Sequence, residues 1–170
     1  MKTKEQGQII LLVAFFMILM IFFVIVISDL FQVYLRKQEL RRLADCAGKS
    51  GMILVGDSMM TQAAEANTGL EDSDAIDWTT ICGSSEPWET LTAPPLKTAI
   101  TGAVEDTLVG LAPDLQLAVD VDYPYRPSSP GGDLSLYVSL CQHVELTFGA
   151  LVGNQQLVIY GDSEQIISCP

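Results

Sequence analysis

A run of nineteen residues without a charged side chain, residues 9–27, is the feature that most constrains how this chain of 170 residues folds. At about 1.5 Å rise per residue, a helix of that length covers most of the roughly 30 Å hydrocarbon core of a membrane. Lipid offers the backbone no water, so its amides must pair within the segment. The run ends in Ser28, Asp29 and Leu30. These residues do not form a small-residue cleavage site, which favours a retained membrane span over a signal peptide.

The helical pattern continues beyond the span. Residues 26–46 contain no proline and no glycine, so nothing in them ends a helix. Apolar residues recur there at three- and four-residue steps, with charged residues between them: Leu30, Phe31, Tyr34, Leu35, Leu40, Leu43, Ala44 and Ala47. We expect this stripe to pack on the chain's own soluble part, on copies of the chain, or on both along different turns.

Glycines at positions 48, 51 and 56 are expected to weaken the helix, and residues 52–66 can resume it. The chain then divides into four predicted parts: an N-terminal flank (1–8), the transmembrane helix (9–27), its amphipathic continuation (28–66) and a soluble head (67–170). About 100 residues after the helix are enough for one small domain.

The head is strongly acidic. Residues 67–170 carry fifteen Asp and Glu against only Lys97 and Arg126. Such a surface repels phosphate backbones, which excludes nucleic acid as a favoured partner.

The pattern of the head predicts an α+β fold. Residues 71–95 read as a long loop held by Cys82 and by burial of Trp78 or Trp88. The predicted elements after this loop are a helix (96–111), a half-buried strand (115–123), a strand with an irregularity near Gln142 (134–148) and a third strand beginning at 155. Together they predict an antiparallel meander beside helices.

Four cysteines, Cys46, Cys82, Cys141 and Cys169, lack the spacing of a zinc site. An even number fits two disulfides in an oxidising compartment. Three pairings are open, and we favour Cys46 with Cys82 and Cys141 with Cys169. Basic residues after the span favour the opposite orientation, but the acidic, cysteine-bearing head is better placed outside the cytoplasmic membrane.

The N-terminal region resembles TadE/TadG-like proteins, the minor pilins and pilus-assembly proteins of tight-adherence (Flp) type IV pilus systems. The similar residues are Gly7 and Gln8 before the span, Asp29 after it, the aromatic turn of Phe31 and Tyr34, and "LADCAGKSG", which is similar to the family's Ala-Asp-Ala-Ala-Ala pattern. They cover about the first fifty residues. Farther on, "VDVDYPYRPSSP" is similar to the start of the C-terminal sheet of TadE-like members.

The resemblance implies a pilin-like subunit or assembly component that packs through its N-terminal helix. Its partners would be other pilus subunits, the assembly machinery, the membrane and copies of itself, in the membrane or in an extracellular filament. The residues expected at the packing surface are Phe31, Tyr34, Leu35, Leu40, Leu43 and Ala47. The alternative is a single-pass, membrane-anchored extracellular binding protein with a helical stalk.

One departure concerns processing. Pilins cleaved after a glycine carry a glutamate at the fifth mature position, whereas counting from Gly7 places Leu12 there. Either the chain is not cleaved or it assembles without that charge, and a leucine is the less costly residue in lipid.

An enzyme is not favoured, although "ILVGDSMM" resembles the first block of GDSL-type hydrolases, with Ser58 as the nucleophile. The one histidine, His143, lies in a strand-like run, and no acidic third member can be named. We expect Ser58 to interrupt the helix and His143 to be an ordinary strand residue.

No cofactor is expected. Acidic residues that offer oxygen ligands for calcium fall in two groups, Glu71, Asp72, Asp74 and Asp77, and Asp120 with Asp122. The first group lacks the glycine and terminal glutamate of an EF-hand loop, and a solvated acidic surface explains both groups.

Overall fold

The computed structural model describes residues 2–67, 83, 85–126, 132–153 and 156–168. Its helices and strands, in chain order, are α1 (Lys2–Asn67), α2 (Ser85–Leu91), α3 (Pro94–Leu111), β1 (Ala118–Asp122), β2 (Leu134–Glu145), α4 (Thr147–Val152) and β3 (Gln156–Ile167). A long N-terminal apolar helix is followed by a small head with a three-stranded antiparallel sheet of order β1-β2-β3. The predicted α+β class is therefore confirmed.

The chain forms two compact units. The first unit contains Met1–Lys37 and His143–Ile159, and the second contains Gln38–Gln142 and Tyr160–Pro170. Helix α1 and strands β2 and β3 each contribute residues to both units.

Helix α1 runs without a break through Gly48, Gly51 and Gly56, so the prediction that residues 52–66 resume the helix is confirmed. The prediction that Ser58 interrupts the helix is wrong, because the helix is also continuous there. Packing explains Gly51, because a Cβ there would lie 2.8 Å from Leu136 Cδ2 and 3.1 Å from side-chain carbons of Ile100 and Val104. Tertiary contacts of this kind offset the roughly 1 kcal/mol that a glycine costs in a helix.

The core of the second unit lies where α1, α3 and the sheet meet around Gly51. Its buried side chains are apolar and come from successive turns of α1 and α3 and from strand β2. They include Leu40, Ala44, Ala47, Val55, Met59 and Ala63 of α1, Ile100, Val104 and Leu108 of α3, and Leu134, Leu136, Val138 and Leu140 of β2.

Strand β1 pairs with β2 in antiparallel register, from Ala118 opposite Cys141 to Asp122 opposite Tyr137. Its exposure alternates, with Val119 and Val121 less exposed than their neighbours. The predicted half-buried strand is therefore confirmed, although it begins at Ala118 and not at Leu115.

The predicted loop of residues 71–95 contains a helix, α2, so that part of the prediction is wrong. Trp88 on α2 is buried, as expected, whereas Trp78 lies outside the described residues. The second predicted strand ends at Glu145, runs unbroken through Gln142 and is followed by α4. Strand β3 begins at Gln156, one residue after the predicted start, and reaches Ile167.

Strand β3 approaches the backbone of α1 closely at Gly161. A Cβ on Gly161 would lie 2.5 Å from Leu40 Cβ, 2.6 Å from the Leu40 carbonyl carbon and 2.7 Å from the Arg41 nitrogen. Real Cβ atoms do not occupy such positions, so a residue without a side chain is required where strand and helix meet.

Candidate functional site

The apolar part of α1 is uncovered. Its most hydrophobic 18-residue window has a mean hydropathy of 3.5, and none of that window is buried. Among residues 9–27, Ile25 and Val26 are half-buried and the others are exposed. By length and composition this helix is able to cross a membrane, and it indicates that the protein is anchored in one.

Asp29, two residues past the apolar run, binds the start of α4. Its Oδ1 accepts the backbone N–H of Thr147 at 3.2 Å and its Oδ2 accepts that of Phe148 at 2.6 Å. The Asp29 side chain is buried, with 6% exposure. The first amides of a helix have no acceptor within the helix. The Asp29 carboxylate, 118 residues earlier in the sequence than Thr147, therefore acts as the N-terminal cap of α4. The sequence showed Asp29 only as an acidic residue after the span.

A second contact lies deeper in the apolar run. The rings of Phe22 and Phe148 pack edge to face, with their centroids 5.0 Å apart and their planes at 89°. Phe22 and Asp29 are seven residues apart, which places them on the same helix face. The partly covered Ile25 and Val26 lie between them, so α4 is seated along this face of α1.

A different face of α1 carries exposed apolar residues. Phe31 lies about 200° around the helix from Asp29, at 100° per residue. This stripe, which we call the exit stripe, follows the i, i+3, i+4, i+7, i+8 pattern of one helix face. Its members are Ile27, Leu30, Phe31, Tyr34 and Leu35. They are all exposed, from 47% at Leu35 to 64% at Leu30.

The six predicted packing residues fall into two groups. Phe31, Tyr34 and Leu35 are exposed on the exit stripe. Leu40 and Ala47 are buried at 1% and 0% in the core of their own chain, and Leu43 is half-buried. Leu40 and Ala47 therefore pack on the chain's own second unit, which corrects their assignment to a surface between subunits.

Asp45, the acid within "LADC", joins α1 to β3. Its Oδ1 accepts hydrogen bonds from Gln165 Nε2 at 2.8 Å and Ser163 Oγ at 3.4 Å. Its Oδ2 accepts one from Lys49 Nζ at 2.7 Å. The Lys49 ammonium, followed by the Gln165 amide, holds the pKa of the Asp45 carboxyl below its ordinary value. The same bond raises the pKa of Lys49.

Cys46 and Cys141 are free thiols in the structure, Cys46 exposed and Cys141 half-buried. Their predicted partners, Cys82 and Cys169, lie outside the described residues. The pairing therefore stays a prediction.

Ser58 lies within α1, and His143 is an exposed residue of β2, as expected for an ordinary strand residue. Asp120 and Asp122 are exposed on β1, and the Asp122 carboxylate lies 3.9 Å from Lys97 Nζ. Within the described part of the chain, no three His, Cys, Asp or Glu side chains come together as a metal site. The acidic residues at 71–77 lie outside that part.

The fold and the uncovered helix define a class, a small α+β protein whose long N-terminal helix is suited to anchoring in a membrane. Comparison with known proteins finds no matching family model, no matching curated protein and no matching solved structure.

Proposed function

We propose that this protein is a non-enzymatic, pilin-like subunit or assembly component of a tight-adherence type IV pilus, and that it packs against neighbouring subunits through α1. The observation that carries the proposal is the exit stripe. It continues the apolar surface of the span for about two turns beyond residue 27. On the face that carries Asp29, the chain covers α1 itself with α4.

Energetics favour a protein partner on the exit stripe. Burying a fully exposed leucine or phenylalanine contributes about 1.5–3 kcal/mol. Leu35 and Phe31 are 47% and 60% exposed, so each has about half of that to contribute, and several members together favour association. A neighbouring copy offers a surface of the same kind, since its own α1 carries the same stripe. In a filament, apolar helices packed in this way hold the subunits together while the acidic heads face outward.

A lipid headgroup layer is the competing environment for this stripe, because aromatic residues such as Phe31 and Tyr34 are common at membrane interfaces. A lysine discriminates between the two environments. At a headgroup-facing position a lysine extends its ammonium into water at little cost. At a packed subunit interface it leaves a buried unpaired charge, which is costly.

The test is Leu35→Lys in the full-length chain, with Gln32→Lys as the matched control. Gln32 is exposed within the same turn but lies outside the exit stripe. We expect Leu35→Lys to insert into the membrane and to abolish co-purification with pilus proteins and visible filaments. Gln32→Lys should retain both. Filaments and co-purification that survive Leu35→Lys would contradict the proposal and favour the membrane-anchored binding protein.

Processing is tested separately by Leu12→Glu. If the chain behaves as a cleaved pilin, the introduced glutamate should be tolerated, since it would meet the terminal amine of a neighbour. If α1 remains an uncleaved anchor, an unpaired carboxylate in lipid should reduce insertion or stability. Mass spectrometry of the mature N-terminus then identifies which case applies.

The proposed location is the cytoplasmic membrane, with the head outside, or an extracellular pilus after assembly. Protease added to intact cells or spheroplasts should remove the head and leave the span protected. A head that becomes accessible only after lysis would contradict this orientation without deciding the packing role of α1.

A further inference from the structure

We use the name β2–β3 turn for residues 146–161, which include α4 and the first six residues of β3; it is the longest uncharged segment of the acidic head. Residues 146–161 contain no Asp, Glu, Lys, Arg or His, although the head carries fifteen acidic residues. This segment includes α4, whose sequence is "TFGALV". The apolar residues of the segment lie on either side of the polar residues Asn154, Gln155 and Gln156, so the parts suited to an apolar environment are α4 and the start of β3.

The position of α4 on α1 supplies the environment. Phe148 packs on Phe22, and Phe22 lies five residues before the end of the apolar run. Five residues correspond to about 7.5 Å of helix rise. When α1 spans a membrane, the Phe148 ring is therefore below the level at which the hydrocarbon core ends.

Backbone amides at both ends of α4 have hydrogen-bond acceptors within the protein, as an environment with little water requires. The Thr147 and Phe148 amides donate to Asp29, and the Ala150 amide donates to the Leu146 carbonyl at 3.1 Å. At the C-terminal end of α4, the Gly153 amide donates to the Gly149 carbonyl. Unpaired amides cost several kcal/mol in lipid. These bonds satisfy donors that water would otherwise serve.

The neighbouring residues of β3 are apolar and outward-facing. Leu157 and Val158 belong to the same unit as α4 and are 40% and 38% exposed. Consecutive strand residues point to opposite sides, so this end of β3 presents apolar side chains on both sides. One apolar face suits packing on a protein core, whereas two suit immersion in lipid.

We infer that the β2–β3 turn, through Phe148, Ala150, Leu157 and Val158, inserts into the head-side leaflet beside the membrane span. The partner is the lipid itself, because the surface is continuous with the apolar face of α1 at Phe22. The head then has two attachments to the membrane, the span and this turn. The inference requires that α1 is anchored in a membrane, but it does not require the pilus role. If the pilus proposal fails, the inference can still be tested.

The experiment places a tryptophan on β3 in the full-length chain reconstituted in phosphatidylcholine vesicles whose acyl chains are brominated. Leu157→Trp is the probe, and Ile166→Trp is the matched control, since Ile166 is an exposed apolar residue of the same strand beyond the charged Asp162 and Glu164. The unsubstituted chain supplies the background from Trp78 and Trp88. We expect the added fluorescence of Leu157→Trp to be lost in brominated vesicles and that of Ile166→Trp to persist.

Equal quenching of the two variants, or none at Leu157→Trp, would overturn the inference. Absence of quenching at position 157 together with crosslinks between copies from a photoreactive residue there would assign the surface to a second chain instead. A measurement on the unsubstituted chain avoids any folding defect: phosphatidylcholine with a photoreactive acyl chain should label residues 146–158. Label confined to residues 9–27 would exclude insertion of the turn.

Discussion

The carboxylate of Asp29 and the backbone N–H of Phe148 are 2.6 Å apart in space and 119 residues apart in sequence. This bond, with its companion to Thr147, fixes a short helix on the residue where α1 leaves its apolar run. A six-residue helix is not stable alone. Its existence therefore depends on a side chain from the opposite end of the chain.

Replacing Asp29 should release α4. Hydrogen bonds to charged groups contribute about 1.5–3 kcal/mol each, so Asp29→Leu, which removes both acceptors, should cost more than Asp29→Asn, which keeps one. Hydrogen exchange of the full chain in detergent micelles should show faster exchange at Thr147 and Phe148, with Asp57→Asn on the exposed side of α1 as the control. Unchanged protection at these amides in Asp29→Leu would disprove the role of the carboxylate.

Two glycines should respond in opposite directions to the same substitution. Gly161→Ala places a Cβ 2.5 Å from Leu40 Cβ and against the backbone of α1, and overpacking of this kind costs about 1–3 kcal/mol. Gly56→Ala meets nothing within 4 Å and should stabilise α1 by up to about 1 kcal/mol. Denaturant unfolding in micelles measures both changes, and a stable Gly161→Ala variant would show that helix and strand are not held so closely.

The elements that were predicted correctly carry their information locally. The uncharged run specified α1, and the i+4 spacing of Ile100, Val104 and Leu108 specified α3, whose three residues are all buried. Alternation specified β1. In α3 and β1 the pattern shows which face of the element meets the core, and in the uncharged run it is the unbroken apolar length that indicates a helix.

What the sequence could not reveal depends on contacts between distant segments. Helix α4 was missed because its first amides are capped by the distant Asp29, and the residue before it, Leu146, provides no side-chain cap. The sequence left open whether the apolar residues of α1 pack on the chain itself, on copies of it, or on both along different turns, since all of them are apolar. Only the position of α4 and the sheet shows that Leu40 is buried while Leu35 is exposed.

Tyr123 should make the protein sensitive to alkali. Its side chain is fully buried, its Oη donates to the Leu91 carbonyl at 2.8 Å, and burial raises its pKa from 10.0 to about 12. Because the folded state holds this proton more tightly than the unfolded state, its stabilising effect is complete below pH 10 and is lost between pH 10 and about 12.

The comparison with Tyr123→Phe isolates this effect. The variant should be less stable at neutral pH by about 0.5–1.5 kcal/mol, because the Leu91 carbonyl loses its donor. Its stability should fall less steeply than that of the parent from pH 10 to 12, by a difference on the order of 2 kcal/mol. Parallel profiles for the two proteins would contradict the assignment.

The cysteines test the compartment of the head. If the head matures outside the cytoplasm, non-reducing mass spectrometry should find two disulfides and no alkylatable thiol in the native protein. With the predicted pairing, Cys46→Ser should expose the thiol of Cys82 alone, and Cys141→Ser that of Cys169 alone. Four reactive thiols in the native protein would place the head in a reducing compartment, and a different released thiol would revise the pairing.

The Asp29 contacts also order events during synthesis. Thr147 is the 118th residue translated after Asp29, so it follows by roughly 6–24 s at 5–20 residues per second. The apolar run is translated well before that moment, so membrane insertion begins while the Asp29 carboxylate has only water and headgroups as partners. When α1 enters a membrane, its apolar run is therefore in place first, and α4 folds later onto a helix that is already inserted.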